Sequence, residues 1–300
     1  MTTTSATPLP VGGAATAADP MAPRPRRDRG SIAPRTIRYL LLVVFAVFVL
    51  MPAYVLFVTS FKGLGDATPT RAWYLPQSWE TAGWERAWEV LSPALVRTFS
   101  MVIPASIISA VLGSMNGFVL ARWRFRGADI VFTLILFGMF IPYQAVMIPL
   151  VTLMQDLGVP SGVPSLIVLH VVYGIPITTL IFRNYYASVP DELIEAARVD
   201  GAGMLRTYAS IILPISAPAF VVVLIWQFTS AWNDYLFALF FSNSRNGPVT
   251  ISLNFLASGQ LQDYSASMAG ALIASLPTLV VYIILGRWFI GGLMAGSVKG

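Results

Sequence analysis

Six stretches of this chain, at about 39–60, 98–121, 130–154, 163–182, 215–241 and 267–290, are apolar and carry no Lys or Arg away from their ends. A helix of roughly 20 mostly apolar residues crosses the hydrocarbon core of a bilayer. Only 11% of the 300 residues are charged and 56% are hydrophobic, whereas about a quarter of a soluble domain is charged. The lipid bilayer is therefore the main solvent. The expected fold class is an all-α polytopic membrane protein, with six transmembrane helices over residues 37–300. Residues 1–36 differ, being rich in Thr, Ala, Pro and Gly with no apolar run. Such a stretch cannot bury enough surface to offset its ordering entropy, so a disordered tail is expected there. Arg26-Arg27 suggests a twin-arginine export signal. A full-length span follows it, however, and not a short apolar region with a small-residue cleavage site.

The basic residues are sided. The tail, the loops after the second and fourth spans and the C-terminus hold 14 of them, and the remaining loops hold five: Lys62, Arg71, Arg86, Arg97 and Arg245. The positive-inside rule then puts both termini and the loop after the fourth span in the cytoplasm. The net charge of +5 is a topology signal, not a nucleic-acid footprint, and no nucleic-acid partner is expected. The first outer loop, about 61–97, carries Trp73, Tyr74, Trp79, Trp84 and Trp88. Two readings stay open for it: an aromatic belt at the membrane interface, or a docking surface for an extracytoplasmic protein.

Several function classes drop out. There is no Cys and a single His, His170, so no disulfide framework and no His or thiolate metal cluster can form. The two lysines, Lys62 and Lys299, lie in no phosphate-binding loop. No catalytic set, voltage-sensing Arg ladder or potassium-type filter is present. The chain is expected not to be an enzyme and to need no cofactor or metal. Pro104, Pro142, Pro149, Pro176 and Pro277 fall inside spans, where each removes a backbone donor and can kink its helix. In lipid the freed carbonyls need a neighbouring helix or a wet cavity. Ser106, Ser109, Gly113, Ser114 and Gly117 make one face of the second span small enough for close helix contact. The lone intramembrane acid is Asp234, within Trp232-Asn233-Asp234-Tyr235. It has either a pore-lining role or a structural hydrogen-bonding one. His170 reads as a packing residue.

Between the fourth and fifth spans lies a polar, helix-forming piece that is too long and too structured for a mere connector. Pro190, Asp191 and Glu192 suit a helix start, and Gly201 suits its end. A second helix follows from about Gly203 to Ile212, and Pro214 opens the fifth span. Two short helices at an angle result. Leu193, Ala197, Leu205 and Tyr208 are available to pack on a partner, and Glu195 and Asp200 to pair with its basic residues.

The order of Glu195-Ala196-Ala197, Gly201, Ile211 and Leu213-Pro214 resembles the EAA loop of ABC-importer permeases. The resemblance extends over nearly all of residues 37–300. It includes Thr59-Ser60-Phe61-Lys62, the stretch Leu120-Ala121-Arg122-Trp123-Arg124-Phe125-Arg126-Gly127, and Trp232-Asn233-Asp234. The ending Gly292 to Gly300 is similar to that of MalG-like subunits. Phe140 to Gln144 and His170 to Pro176 are similar to segments of glucose or mannose permeases. The resemblance implies a sugar importer's permease subunit in a bacterial plasma membrane. Its partners would be a MalF-like second permease, a homodimeric ATP-binding subunit and an extracytoplasmic sugar-binding protein. The coupling loop, about 185–213, would dock on the ATPase through Glu195, Ala196, Ala197, Asp200, Gly201, Leu205, Tyr208, Leu213 and Pro214. Ser297, Val298, Lys299 and Gly300 would make a second contact. Gln227, Trp232, Asn233 and Asp234 are the candidates for the substrate path, since sugars are held by hydrogen bonds and aromatic stacking. The rivals are a permease for a non-sugar solute, an ion-coupled secondary transporter and a membrane scaffold.

Overall fold

The computed structural model describes residues 32–297 apart from 124 and 259–262, with the backbone alone for 32–35 and 287–297. The chain divides into two compact units, Met1–Met51 and Pro52–Gly300. Helix α1, Ile32–Ser60, opens in the first. There Leu41, Phe45 and Phe48 are exposed, as lipid-facing side chains should be. The tail expected over 1–36 falls mostly outside the described residues, and α1 already starts at Ile32.

In the second unit the helices are α2 (Ala82–Arg122), α3 (Ala128–Phe137), α4 (Met147–Asp156), α5 (Val163–Ala187), α6 (Asp191–Val199), α7 (Met204–Thr207), α8 (Leu213–Ile215), α9 (Ala217–Trp232), α10 (Leu236–Phe241), α11 (Val249–Ser258) and α12 (Tyr264–Ser297). All regular elements among the described residues are helical. Among the described residues four helices are long and apolar enough to cross a membrane: Thr36–Ser60, Ala82–Arg122, Val163–Ala187 and Tyr264–Gly286. The third and fifth expected spans appear instead as bent pairs. Ala128–Phe140 meets Tyr143–Asp156 at 84°, and Met204–Ile215 meets Ala217–Trp232 at 77°. Pro142 stands at the first bend. Pro104, Pro176 and Pro277 are accommodated inside continuous helices.

Helices α2 and α5 form the centre of the unit. Their backbones approach so closely that a β-carbon on Gly113 would lie 2.1 Å from Thr178 Oγ1, and one on Gly117 would lie 2.7 Å from the Arg183 nitrogen. Thr178 Oγ1 lies 3.1 Å from the Ser109 carbonyl and ties the two helices across this crossing. Small residues allow such an approach in lipid, where dispersion and interhelical hydrogen bonds replace the hydrophobic drive. One apolar cluster, including Leu91, Met101, Leu166 and Phe237, packs towards one end of the pair. A second, with Phe118, Phe182, Ile212 and Val223, packs towards the other.

The segment expected as a loop at 61–97 is helical in its second half, because α2 has 41 residues and starts at Ala82. At 1.5 Å per residue it is about 60 Å long, twice a hydrocarbon core. Ahead of it Lys62 is buried, and its Nζ donates to the Arg71 carbonyl at 2.6 Å and the Ala72 carbonyl at 3.4 Å. Burial pushes the Lys62 pKa down. Asp66 accepts from the Gln77 N–H at 2.9 Å and from Arg71 Nε at 2.6 Å. The Gln77 N–H above all, with Arg71 beside it, holds the Asp66 carboxyl below the usual carboxylate range. The Lys62 end of the Thr59-Ser60-Phe61-Lys62 motif thus fastens this link from inside. Arg86 Nε donates to Asp263 at 2.6 Å, and Arg97 Nε to the Gly247 carbonyl at 2.8 Å, which anchors α2 to the segments before α12 and α11.

Candidate functional site

Two places concentrate polar structure: an elbow between α5 and α9, and a cavity between the same two helices.

The elbow starts at Pro190. Asp191 and Glu192 sit in the first turn of α6, where acids complement the positive end of the helix dipole. Its close is a Schellman motif: the Gly201 N–H donates to the Arg198 carbonyl at 3.0 Å, and the Ala202 N–H to the Ala197 carbonyl at 2.9 Å. Gly201 takes φ 75°, which a residue with a β-carbon rarely adopts. Arg122, the last residue of α2, grips the start of α6 through the Asp191 carboxylate and the Val189 carbonyl. A crevice of about 190 Å³ separates Phe118 and Arg122 from Ala202 and Met204. After α7 the backbone makes a π-helical turn, Tyr208–Ile212. It then runs through Leu213 and Pro214 to the bend at Ser216.

The elbow's faces sort its residues. Leu193 is 43% exposed, Leu205 72% and Val199 88%, so these three form its outward apolar surface, with Glu195, Ala196 and Asp200 beside them. Leu213 and Pro214 are exposed too. Ala197 and Tyr208 turn the other way, contrary to the sequence reading of a partner-facing side chain. Ala197 is buried, one turn from buried Ile194. Tyr208 lies against Phe118, ring centroids 5.5 Å apart, with its hydroxyl 2.9 Å from Ser114 Oγ. The i, i+3 spacing of Ile194 and Ala197 faces the bundle. Val199, which sequence reasoning passed over, is the most exposed apolar side chain of the elbow. Of the C-terminal set, Ser297 is the last backbone residue of α12, and Val298, Lys299 and Gly300 lie outside the described residues.

The cavity has a volume of about 600 Å³, and its wall includes Tyr143, His170, Tyr173, Trp226, Gln227 and Asp234. Gln227 is buried, and its Nε2 donates to the His170 carbonyl at 3.2 Å. Asp234, between α9 and α10, accepts from the Ala238 N–H at 3.3 Å. His170 Nε2 lies 3.9 Å from Asp234 Oδ2. His170 was read as packing, and it does pack edge-on to Phe237 at 5.5 Å. It also forms part of the cavity wall. Trp232 and Asn233 do not line the cavity. Trp232 is buried, donating from Nε1 to the Ala274 carbonyl at 2.9 Å and stacked on Phe228 at 5.3 Å. Asn233 is exposed and donates to the Thr229 carbonyl at 2.9 Å. The helix ends at Trp232, so Asn233 lies outside the helical register that carries Gln227. Tyr143, Tyr173 and Trp226 were missed. Tyr143 and Tyr173 lie inside the segments similar to glucose or mannose permeases, and Trp226 had no signal beyond being an aromatic residue in an apolar span. No Lys or Arg stands among the cavity residues.

The membrane bundle thus combines two bent helix pairs, a structured elbow and a largely apolar cavity with a few polar side chains. The family model for the binding-protein-dependent transport system inner membrane component matches residues 111–290, and the chain belongs to that family. It is 45% identical over 186 residues to a probable ABC transporter permease protein of Pyrococcus horikoshii, covering 61% of this chain and 68% of that one. It is 33% identical over 283 residues to the xylose/arabinose import permease protein XacI of Haloferax volcanii, covering 86% and 92%. Among solved structures it resembles a chain of a bacterial ABC transporter involved in the import of the acidic polysaccharide alginate. That match has a TM-score of 0.71 and 22% identity over 89% of this chain and 100% of that one, a likeness of fold.

Proposed function

We propose that this protein is one of two permease subunits of an ATP-driven importer for sugars, with a second permease completing the path. A paired ATP-binding subunit grips the elbow from the cytoplasm, and an extracytoplasmic binding protein delivers the cargo. One observation carries the proposal: α5, which leads into the elbow, and α9, which leaves it, both wall the cavity, through His170 and Tyr173 on one and Trp226 and Gln227 on the other. Whatever moves the elbow moves the cavity wall. Aromatic faces beside Gln227 and Asp234 suit an uncharged polyhydroxy solute, which offers both ring faces and hydroxyls. Relatives that import xylose, arabinose, melibiose and glucose support that cargo class.

ATP drives the cycle only if the nucleotide-bound ATPase favours one bundle shape over the other. Leu193, Val199 and Leu205 supply the apolar contact, with Glu195 and Asp200 for basic residues of the ATPase. The chain itself binds no nucleotide. The test is co-purification followed by uptake into vesicles. ATPase and second permease should accompany the chain, and labelled sugar should enter only with ATP and binding protein. Uptake that survives ATP depletion and collapses with the proton gradient would overturn the proposal. Uptake of amino acids or peptides instead of sugar would overturn the cargo class alone.

A further inference from the structure

We propose that Ser114 and Tyr208 are positioning residues for energy coupling. With Tyr186 and Ser216 they form a buried knot of hydroxyls through which movement of the elbow reaches α2. The inference rests on the reading of the elbow as the contact with an ATPase.

The backbone joins the elbow to α5 at one end and to α9 at the other. Helix α2 has no covalent link to it, yet α2 is the longest element of the unit and crosses α5 at van der Waals distance. Two places tie α2 to the elbow. One is Arg122 on the start of α6. The other is the knot. Ser114 Oγ, on α2, lies 2.6 Å from Tyr186 Oη on α5 and 2.9 Å from Tyr208 Oη at the start of the π-turn. Ser216 Oγ, at the 77° bend, lies 3.0 Å from Tyr186 Oη and also donates to the Ile212 carbonyl. Ser114, Tyr186 and Ser216 are fully buried.

The protons of Ser114, Tyr186 and Tyr208 suffice for the two contacts of Ser114, and the single Ser216 proton is shared between Tyr186 Oη and the Ile212 carbonyl. Away from water such a chain is strong when complete and costly when broken. It also bridges four different elements at one level. Immediately above and below Ser114, Gly113 and Gly117 hold α2 against α5 too closely for a β-carbon. Ser114 therefore cannot shift relative to Tyr186 without the whole helix pair moving. The π-turn between Tyr208 and Ser216 is a local departure from the α-helix of the kind that often marks functional sites. A push on α6 bends or rotates this turn. Tyr208 passes the displacement to Ser114, and Ser216 passes it to Tyr186. Without the knot the elbow would still drag the ends of α5 and α9 but would hold α2 through Arg122 alone.

Tyr208→Phe and Ser114→Ala test this in the complete complex reconstituted with ATPase, second permease and binding protein. The readouts are solute moved per ATP hydrolysed, the amount of ATPase that co-purifies, and the melting temperature of the complex. Tyr208→Phe keeps the ring against Phe118 and deletes one hydroxyl. Solute moved per ATP should fall roughly fivefold, the factor one buried hydrogen bond of ordinary worth carries. ATPase should co-purify in full. The double variant should be no worse than Ser114→Ala alone, because both substitutions cut the same connection. An unchanged ratio overturns the inference, as does a lowered melting temperature with the ratio kept, which marks a packing role only. Losing the ATPase on Tyr208→Phe would put Tyr208 on the interface and overturn it as well. If the unaltered complex shows no ATP-driven uptake, the permease function itself fails and this inference with it.

Discussion

Gly201 offers the sharpest test of the elbow as a shaped part. At φ 75° it closes α6, and no heavy atom lies within 4 Å of where its β-carbon would stand. A side chain there meets nothing, so its whole cost is conformational. An L-residue in the left-handed region costs roughly 1–2 kcal/mol. Asn enters that region several-fold more readily than most residues, and a β-branched residue is an outlier there. About 1 kcal/mol depopulates the elbow geometry some fivefold, and about 2 kcal/mol nearly thirtyfold. Transport by the reconstituted complex, normalised to protein recovered in the membrane, should fall in the order Gly201→Asn, Gly201→Ala, Gly201→Val. The last should lose about tenfold or more. Two results would refute the reasoning. One is normal transport by Gly201→Val. The other is a Gly201→Asn variant worse than Gly201→Ala, which would mean that side-chain bulk against a partner matters and backbone angle does not.

Other outcomes are expected on the same grounds. Gly113→Ala puts a carbon 2.1 Å from Thr178 Oγ1 and 2.9 Å from the Thr178 backbone. Overpacking of this kind costs roughly 1–3 kcal/mol and should lower the melting temperature in detergent. Gly286→Ala, with nothing within 4 Å, should not. Trp232→Ala should destabilise by about 3–5 kcal/mol, since Trp232 is core, whereas Asp234→Asn should leave melting nearly unchanged and raise the KM for solute. The opposite pattern would move the substrate path to Trp232. Asp66 has a depressed folded pKa. Its contribution is therefore complete above the unfolded value of about 4 and fades as pH falls through the lower folded value. Melting followed from pH 6 to pH 3 should show a steeper acid loss for the unaltered protein than for Asp66→Asn.

The sequence made most of the bundle legible because lipid is a demanding solvent. An apolar run of 20 residues has few alternatives, so α1, α5 and α12 stand near their expected places. Gly201 and Pro190 were legible for a different reason, since each is chosen by a single backbone angle. The misses have physical causes as well. Hydropathy reports where water ends, not where a helix ends. Glu85, Arg86 and Glu89 placed residues 82–97 outside the membrane, while the backbone continued as α2 through them and through Pro93.

Two of the four substrate-path candidates lie away from the cavity for a reason that composition does not carry. Gln227 and Asp234 line the cavity, while Trp232 and Asn233, between them in sequence, do not. The Asp234 carboxylate takes the Ala238 N–H at the start of α10. At about 100° per residue a helix puts Trp232 about 140° from Gln227 and Asp234 within about 20° of it, so the helical period already held the split that residue type alone does not show. The same carboxylate stands both between α9 and α10 and in the cavity wall. For this reason Asp234→Asn, which keeps an acceptor for the Ala238 N–H and removes the charge, separates the two roles. If transport is lost only in Asp234→Ala, the acid builds the break; if Asp234→Asn loses it too, the charge acts on the solute.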